Sequence, residues 1–467
     1  MPSPNILDLS RGWPAPSLLP AAALLRASQT VLTDPNLFVP ALQYGDDAGY
    51  ELLRIAIAEW LQEFFSTPWT TVGRICISGG ASMALACILQ VFTDPVYTQN
   101  VFLVTPTYFL AFKVFEDNGF TGKLKGVPED AEGIDIEYLE QCLLAQDIAS
   151  RNGFSQPPTG ISRTPQRKLF RNIIYCVPTF SNPSTKSMSI RRRQQLVQIA
   201  RDHDSLVIAD DVYDHLRWAP HTSSRNESAP PVLPRLVDID HEMGGGTQRP
   251  GADGFGNVVS NGSFSKIIGP GCRTGWTEAT DSFTVELSQC GSTLSGGSPS
   301  QLTGVIVCQM LKEGALLRQL NEVMIPSLQR RHWLMRIAVQ KYLIPQGASM
   351  SDSNGGYFIW ITLPTPISAK DFTIRAASDE DVIVAPGDIF EVSSDKGGFR
   401  FDREIRLCFA WELEEALAVG VKSLGRVLES MLRDCQELEE HAKVTDVEIV
   451  DFAPAHFSGN RIRTTHL

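Results

Sequence analysis

Lys266 is the residue from which chemistry can be argued first. It stands in Ser263-Phe264-Ser265-Lys266, after the apolar run Asn257–Ser260 and before Gly269-Pro270-Gly271-Cys272-Arg273-Thr274-Gly275-Trp276. Apolar surroundings or a neighbouring cation lower a lysine's pKa and leave its amine nucleophilic toward an aldehyde. Other apolar runs end in groups that suit the same kind of site. Asp210-Asp211-Val212-Tyr213 follows Ala209. A carboxylate at the mouth of a buried strand costs desolvation unless it has a partner, such as a pyridinium N–H; capping a helix is the plainer role. Asn182-Pro183 follows Val177 and either starts a turn or aims an amide at a phenolic oxygen. Tyr108, after Val104, either packs or stacks on a flat ring. Ser78-Gly79-Gly80-Ala81-Ser82 opens a helix, and small residues there let backbone N–H groups approach an anion.

These groups share a position in a repeated pattern. Short apolar runs at Arg74–Ile77, Val101–Val104, Ile173–Val177, Leu206–Ala209 and Asn257–Ser260 are each followed by a loop, and helical stretches intervene. Helices are expected at Asp47–Phe64, at Ala81–Phe92 and from about Ser189. Alternating strands and helices imply parallel pairing in an α/β sheet covered on both faces. Ligands bind beyond the carboxyl ends of such strands, which is where the candidate residues fall. Residues 1–45 read as an arm, 46–300 as a large domain and 301–435 as a smaller α+β domain. Residues 436–467 form a tail with little helical signal after 443. Within the large domain, 219–256 is rich in Pro, Ser and Gly and reads as a mobile surface insertion.

The 467 residues carry a formal net charge of -12, which disfavours nucleic acid and anionic membranes as partners. Arg191-Arg192-Arg193 stands out as a basic cluster and reads as a solvated helix face. Nine cysteines, odd in number and irregularly spaced, show no paired metal-ligand spacing and suit a reducing compartment. No metal site is expected. Met1-Pro-Ser-Pro is unlike a signal peptide, and no stretch is long and apolar enough to span a bilayer. The cytosol is the default, although Thr465-His466-Leu467 is faintly similar to a peroxisomal address.

Taken in order, these segments resemble the class I/II aminotransferases of pyridoxal 5′-phosphate (PLP) fold type I. The resemblance spans nearly the whole chain. Its most specific part is Ser263-Phe264-Ser265-Lys266 with Pro270-Gly271-Cys272-Arg273-Thr274-Gly275-Trp276. Asn182-Pro183, Asp210 and Tyr213 follow, then Gly355-Gly356-Tyr357-Phe358-Ile359-Trp360, Ala385-Pro386-Gly387 and Arg406-Leu407-Cys408-Phe409-Ala410.

The resemblance implies PLP held as a Schiff base on Lys266, which also shuttles the substrate proton. It implies Asp210 at the pyridine nitrogen, Asn182 and Tyr213 at the phenolic oxygen, and Tyr108 stacked on the ring. The phosphate would rest on Ser263, Arg273 and the backbone of Gly80, Ala81 and Ser82. Arg406, with Asn182, would bind the α-carboxylate, and the segment carrying Gly12 and Trp13 would close over substrate. Gln43-Tyr44-Gly45 resembles a segment that reaches across a homodimer, placing Tyr44 in the partner's site. The implied reaction moves an amino group from an L-amino acid to a 2-oxo acid. A PLP lyase, cyclase or oxidase would keep the same Lys, Asp and Arg, so these residues do not separate them. A PLP-binding regulator is a remote alternative, since no basic helix-turn-helix precedes the fold. Two departures bear on substrate choice: Thr185 stands where the family usually has Gly, and the 219–256 insertion lengthens the interval from Tyr213 to Lys266.

Overall fold

The structure is a computed structural model and describes residues 6–152, 167–220, 231–294, 298–351, 353–392, 394–395 and 397–450. Strand β1 (Leu7–Asp8) is followed by helices α1 (Ala21–Thr33), α2 (Pro35–Leu42) and α3 (Glu51–Phe65). Then come β2 (Ile75–Ser78), α4 (Ala81–Phe92), β3 (Asn100–Thr105), β4 (Leu124–Asp130) and β5 (Gly133–Ile134). The sheet continues with β6 (Asn172–Cys176), β7 (Ser205–Asp210), β8 (Val258–Ser263) and β9 (Gly275–Glu278). These eight strands lie in the order β2-β9-β8-β7-β6-β3-β4-β5. Pairing is parallel from β8 through β7, β6 and β3 to β4. Strand β9 runs antiparallel to both β2 and β8. The sheet is thus mostly parallel and flanked by helices, as expected of an α/β fold.

Strands β3, β6, β7 and β8 are buried along their whole length. A strand covered on both faces is mostly apolar, which is why β3, β6 and β7 read as continuous runs, whereas β8 turns polar after Val259. Helix α4 starts at the expected residue, after Gly80 at φ 93°. The helix expected from Ser189 spans Ile190–Asp202, with Ser189 as its N-cap accepting from the Arg192 N–H.

A second, four-stranded sheet holds β10 (Ser349–Ser351), β11 (Phe358–Thr362), β13 (Ala385–Pro386) and β14 (Glu404–Cys408), all antiparallel. Strand β12 (Val382–Ile383) pairs instead with β1 in a separate two-stranded sheet, and the N-terminal segment is tied to the second sheet where the Cys408 N–H donates to the Leu9 carbonyl.

Several expectations are corrected. The N-terminal arm contains two helices. The Arg191–Arg193 cluster is not a solvated face: Arg193 is buried and donates to the carbonyls of Met188, Pro178 and Pro234 and to the Thr179 hydroxyl. The presumed mobile insertion packs against the large sheet around the helix Leu236–Glu242, with Arg235 and Asp238 buried; its residues 221–230 lie outside the described ones. Arg235 bonds both Asp238 and Glu278 of β9, and that ion pairing anchors the segment. The last helix runs from Glu414 to Val450, past the point where the sequence pattern fades. Residues 1–5 and 451–467 lie outside the described ones, and the two terminal segments read above fall there.

Candidate active site

A cavity of about 470 Å³ opens at the carboxyl ends of β6 and β7. Twelve of the residues singled out from sequence line it: Gly12, Trp13, Ala81, Ser82, Tyr108, Asn182, Asp210, Tyr213, Ser263, Lys266, Arg273 and Arg406. Gly80 lies just behind, as N-cap of α4, where an added Cβ would come within 2.7 Å of Arg273 Nη2. Tyr44 does not join them. It is 84% exposed on the loop after α2.

The sheet explains how the polar groups arrive. Asp210 ends β7 and is paired with Asn261 of β8. Burial raises its pKa to about 6, opposed by a hydrogen bond from Tyr175 and by the charge of Lys266. The Tyr175 hydroxyl donates to Asp210 Oδ2 at 2.6 Å, while Oδ1 is buried and has no hydrogen-bond partner among the described residues. Lys266 sits in the short turn Phe264–Lys266 that follows β8. Burial pulls its pKa down to about 8, and the charge of Arg406 acts in the same direction. Burial also lifts the Tyr108 phenol to about 12 and the Tyr213 phenol well above its ordinary range, so both remain hydroxyls.

Arg406 comes from β14 of the second sheet, over the Phe358 ring at 4.1 Å. Its Nη1 donates to Asn182 Oδ1 at 2.7 Å and its Nη2 to the Ser10 carbonyl at 2.5 Å. Its buried Nε has no partner among the described residues. Lys266 Nζ donates to the Gly12 carbonyl at 2.7 Å. The N-terminal segment thus holds both cations through backbone oxygens, two residues apart. Arg11 stands beside them, at 4.7 Å and 5.0 Å from the Trp13 and Trp411 rings and 3.3 Å from Asp8.

At the other end of the cavity, the N-terminus of α4 faces Arg273 and the hydroxyls of Ser263 and Ser265, which bond each other at 2.9 Å. Unpaired N–H groups at a helix start, with a guanidinium and two hydroxyls, make an anion cradle. Thr185, where the family usually has Gly, is buried at φ 66°, in the left-handed region that favours glycine.

The residue set fits PLP. An amine, a carboxylate with one unpartnered buried oxygen and an anion cradle meet the aldehyde, pyridine nitrogen and phosphate of one planar molecule. The sequence profile described as aminotransferase class I and II matches residues 6–424.

The chain belongs to the class I and II aminotransferases.

It is a PLP-dependent aminotransferase of fold type I. An uncharacterized protein of Saccharomyces cerevisiae is 35% identical, over 91% of this chain and 97% of that one. Aromatic-amino-acid aminotransferase 1 of Thermococcus litoralis is 27% identical over 92% and 89%. The α-aminoadipate aminotransferase of Thermus thermophilus, solved with N-(5′-phosphopyridoxyl)-L-leucine, superposes with a TM-score of 0.71 at 27% identity, covering 92% of this chain and 93% of that one. No described helix of this aminotransferase is long and apolar enough to cross a membrane.

Sequence reasoning gave no individual role to six polar lining residues: Asp8, Ser10, Arg11, Tyr175, Asn261 and Ser265. Tyr175 reads as core in an apolar run. The available signal was its place on a strand next to the one that ends in Asp210. Tyr357, named above among the family segments, lies behind the cavity wall and donates to the Lys266 carbonyl at 2.8 Å.

Proposed function

We propose that this aminotransferase takes its amino group from large apolar or aromatic L-amino acids and passes it to a 2-oxo acid. The carrying observation is one cavity that joins the Lys266 amine, the Asp210 carboxylate and the Arg406 guanidinium to an apolar wall. Trp13, Leu85, Phe109, Leu110, Val114 and Phe358 form that wall. The Thermococcus relative acts on aromatic amino acids by its name, and the Thermus structure holds a leucine adduct; both support this class.

PLP, when bound, supplies the electron sink for charge developing at the substrate Cα. The chain's residues do the rest. Arg406 exchanges the Ser10 carbonyl for the substrate carboxylate and grips it through two N–H groups, which fixes the Cα–H direction. Lys266 holds the cofactor covalently at rest. Once released, its neutral amine would take the proton from Cα and deliver it to the cofactor carbon that carried the aldehyde. Asp210 keeps a proton on the pyridine nitrogen. Asn182 and Tyr213 would bond the phenolic oxygen, and Tyr108 would stack on the ring. Ser263, Arg273 and the backbone of Gly80, Ala81 and Ser82 hold the phosphate. Gly12 and Trp13 cover the substrate.

The working unit in this proposal is a cytosolic homodimer in which Tyr44 reaches the partner's phosphate site. Its exposure on the loop after α2 supports that, and nine free cysteines suit a reducing compartment. Residues 46–300 and 301–435 are taken as the large and small domains, between which Lys266 and Arg406 are divided.

The test is a half-reaction of the loaded enzyme with a panel of amino acids and no acceptor. One oxo acid released per site, after which turnover stops until a 2-oxo acid is added, is the expected result. Product that keeps accumulating without acceptor would refute aminotransfer in favour of elimination, cyclisation or oxidation. A preference for small or acidic donors would refute the proposed class.

A further inference from the structure

Tyr175 has no place in the chemistry derived so far, yet it is fully buried and makes one short hydrogen bond. It lies on β6 opposite Ile208 of β7. Side chains two apart on a strand share a face, so Tyr175 and Asp210 emerge on the same side of neighbouring strands. The phenol donates to the carboxylate at 2.6 Å, and its edge packs against Phe115 at 5.8 Å. Phe115 is itself buried, so the ring is held in place.

We propose that Tyr175 is a positioning residue for the cofactor's ring nitrogen: by donating to Asp210 Oδ2 it aims Oδ1 at the cavity and keeps the carboxylate ionised. The inference rests on the reading that Asp210 faces the pyridine nitrogen. One proton is shared between that nitrogen and Asp210. Moving it onto the carboxylate removes the charge that Tyr175 stabilises, so the phenol biases the proton toward the ring.

The surroundings leave this task to few groups. Lys266 follows β8, and its charge lowers the Asp210 pKa. From the turn after β7 comes Tyr213, from β6 Cys176, and from the loop after β3 Tyr108. Burial holds all three in their neutral forms. Asn261 of β8 turns its amide toward the Ala81 carbonyl. Lys266 is consumed in holding the cofactor, which leaves the Tyr175 hydroxyl as the standing support of the charge. The phenol cannot take the opposite role, because burial and Asp210 push its own pKa far up and keep it a donor.

The test uses the holoenzyme loaded with cofactor carrying ¹⁵N in the ring, and Tyr175→Phe beside the unaltered chain. The ¹⁵N chemical shift reports where the proton lies. It should take the protonated value in the unaltered enzyme and move toward the unprotonated one in the variant. A hydrogen bond to a charged group corresponds to about a ten- to hundred-fold change in that balance. An unchanged ¹⁵N shift in a folded, loaded Tyr175→Phe would overturn the proposal. An unprotonated ring in the unaltered enzyme would instead overturn the Asp210 reading beneath it.

A cofactor-free measurement covers poor loading. The Asp210 titration, followed by ¹³C NMR of aspartate-labelled protein and assigned with Asp210→Asn, should move up from about 6 by about one to two pH units in Tyr175→Phe. If that variant fails to fold, 3,5-difluorotyrosine at position 175 keeps the shape and strengthens the donor. The midpoint must then fall; no movement, or a rise, overturns the proposal.

Discussion

Lys266 should be the lysine that reacts most readily with an aldehyde at neutral pH. Burial lowers its pKa from 10.5 to about 8. A lowered lysine pKa means that the neutral, nucleophilic form is already populated below the ordinary range. At pH 7 about one Lys266 in ten is neutral, against about one in three thousand for an unperturbed lysine. The ratio, about 300-fold, is an upper bound because a less basic amine is also a weaker nucleophile. By pH 9 the advantage has shrunk to about thirty-fold, since surface lysines begin to deprotonate.

The assay is brief exposure of cofactor-free protein to a substoichiometric aldehyde, borohydride reduction, proteolysis and peptide mass analysis across pH 5.5–10. Incorporation at Lys266 should rise through a midpoint near 8 and dominate below that pH. A midpoint near 10.5, or label spread evenly over surface lysines at pH 7, would refute the argument that burial activates this amine.

Other perturbations test other parts of the site. Arg406→Lys keeps the charge but loses the two-pronged grip, so the amino-acid KM should rise about ten- to hundred-fold while bound cofactor is unchanged; lost cofactor with unaltered KM would contradict its role. Gly80→Ala introduces a Cβ at φ 93° against Arg273, a strain of about 1–3 kcal/mol. Equilibrium dialysis should show weaker cofactor binding, and unchanged affinity would move the phosphate elsewhere. Arg235→Met leaves Asp238 and Glu278 buried without their shared cation, which should cost about 3–5 kcal/mol in a denaturant melt; a loss under about 1 kcal/mol would mean the segment is held by its apolar contacts instead.

The parts that were legible follow one rule. Strands buried on both faces are mostly apolar, so polar residues that end or follow them stand out, even where a helix cap or a turn would also account for them. Lys266, Asp210 and Asn182 stood out on that basis. Strand β9 did not, because Gly275-Trp276-Thr277-Glu278 follows a glycine-rich loop and ends in a charge. Its Glu278 is nonetheless fully buried, paired with Arg235. Strand β4 was hidden by a Gly, a Pro and charges within seven residues. Arg193 misled for a related reason: three adjacent arginines look solvated, but the helix turns one of them inward toward carbonyls contributed by distant loops. Pairings of this kind join residues far apart in the chain, and no local pattern announces them. Tyr175 belongs with them, since its hydroxyl acquires meaning only when β7 lies alongside.

The segment around Ser10 and Gly12 also has a practical consequence. Its carbonyls sit on Arg406 and Lys266, and β1, a few residues earlier, is woven to Val382 and Ile383. Any affinity tag fused ahead of Leu7 would therefore be tethered at the mouth of the catalytic cavity. Kinetic constants measured on such a fusion would report partly on the tag. Preparations for substrate profiling should carry the tag at the other end of the chain, or have it removed before the first assay.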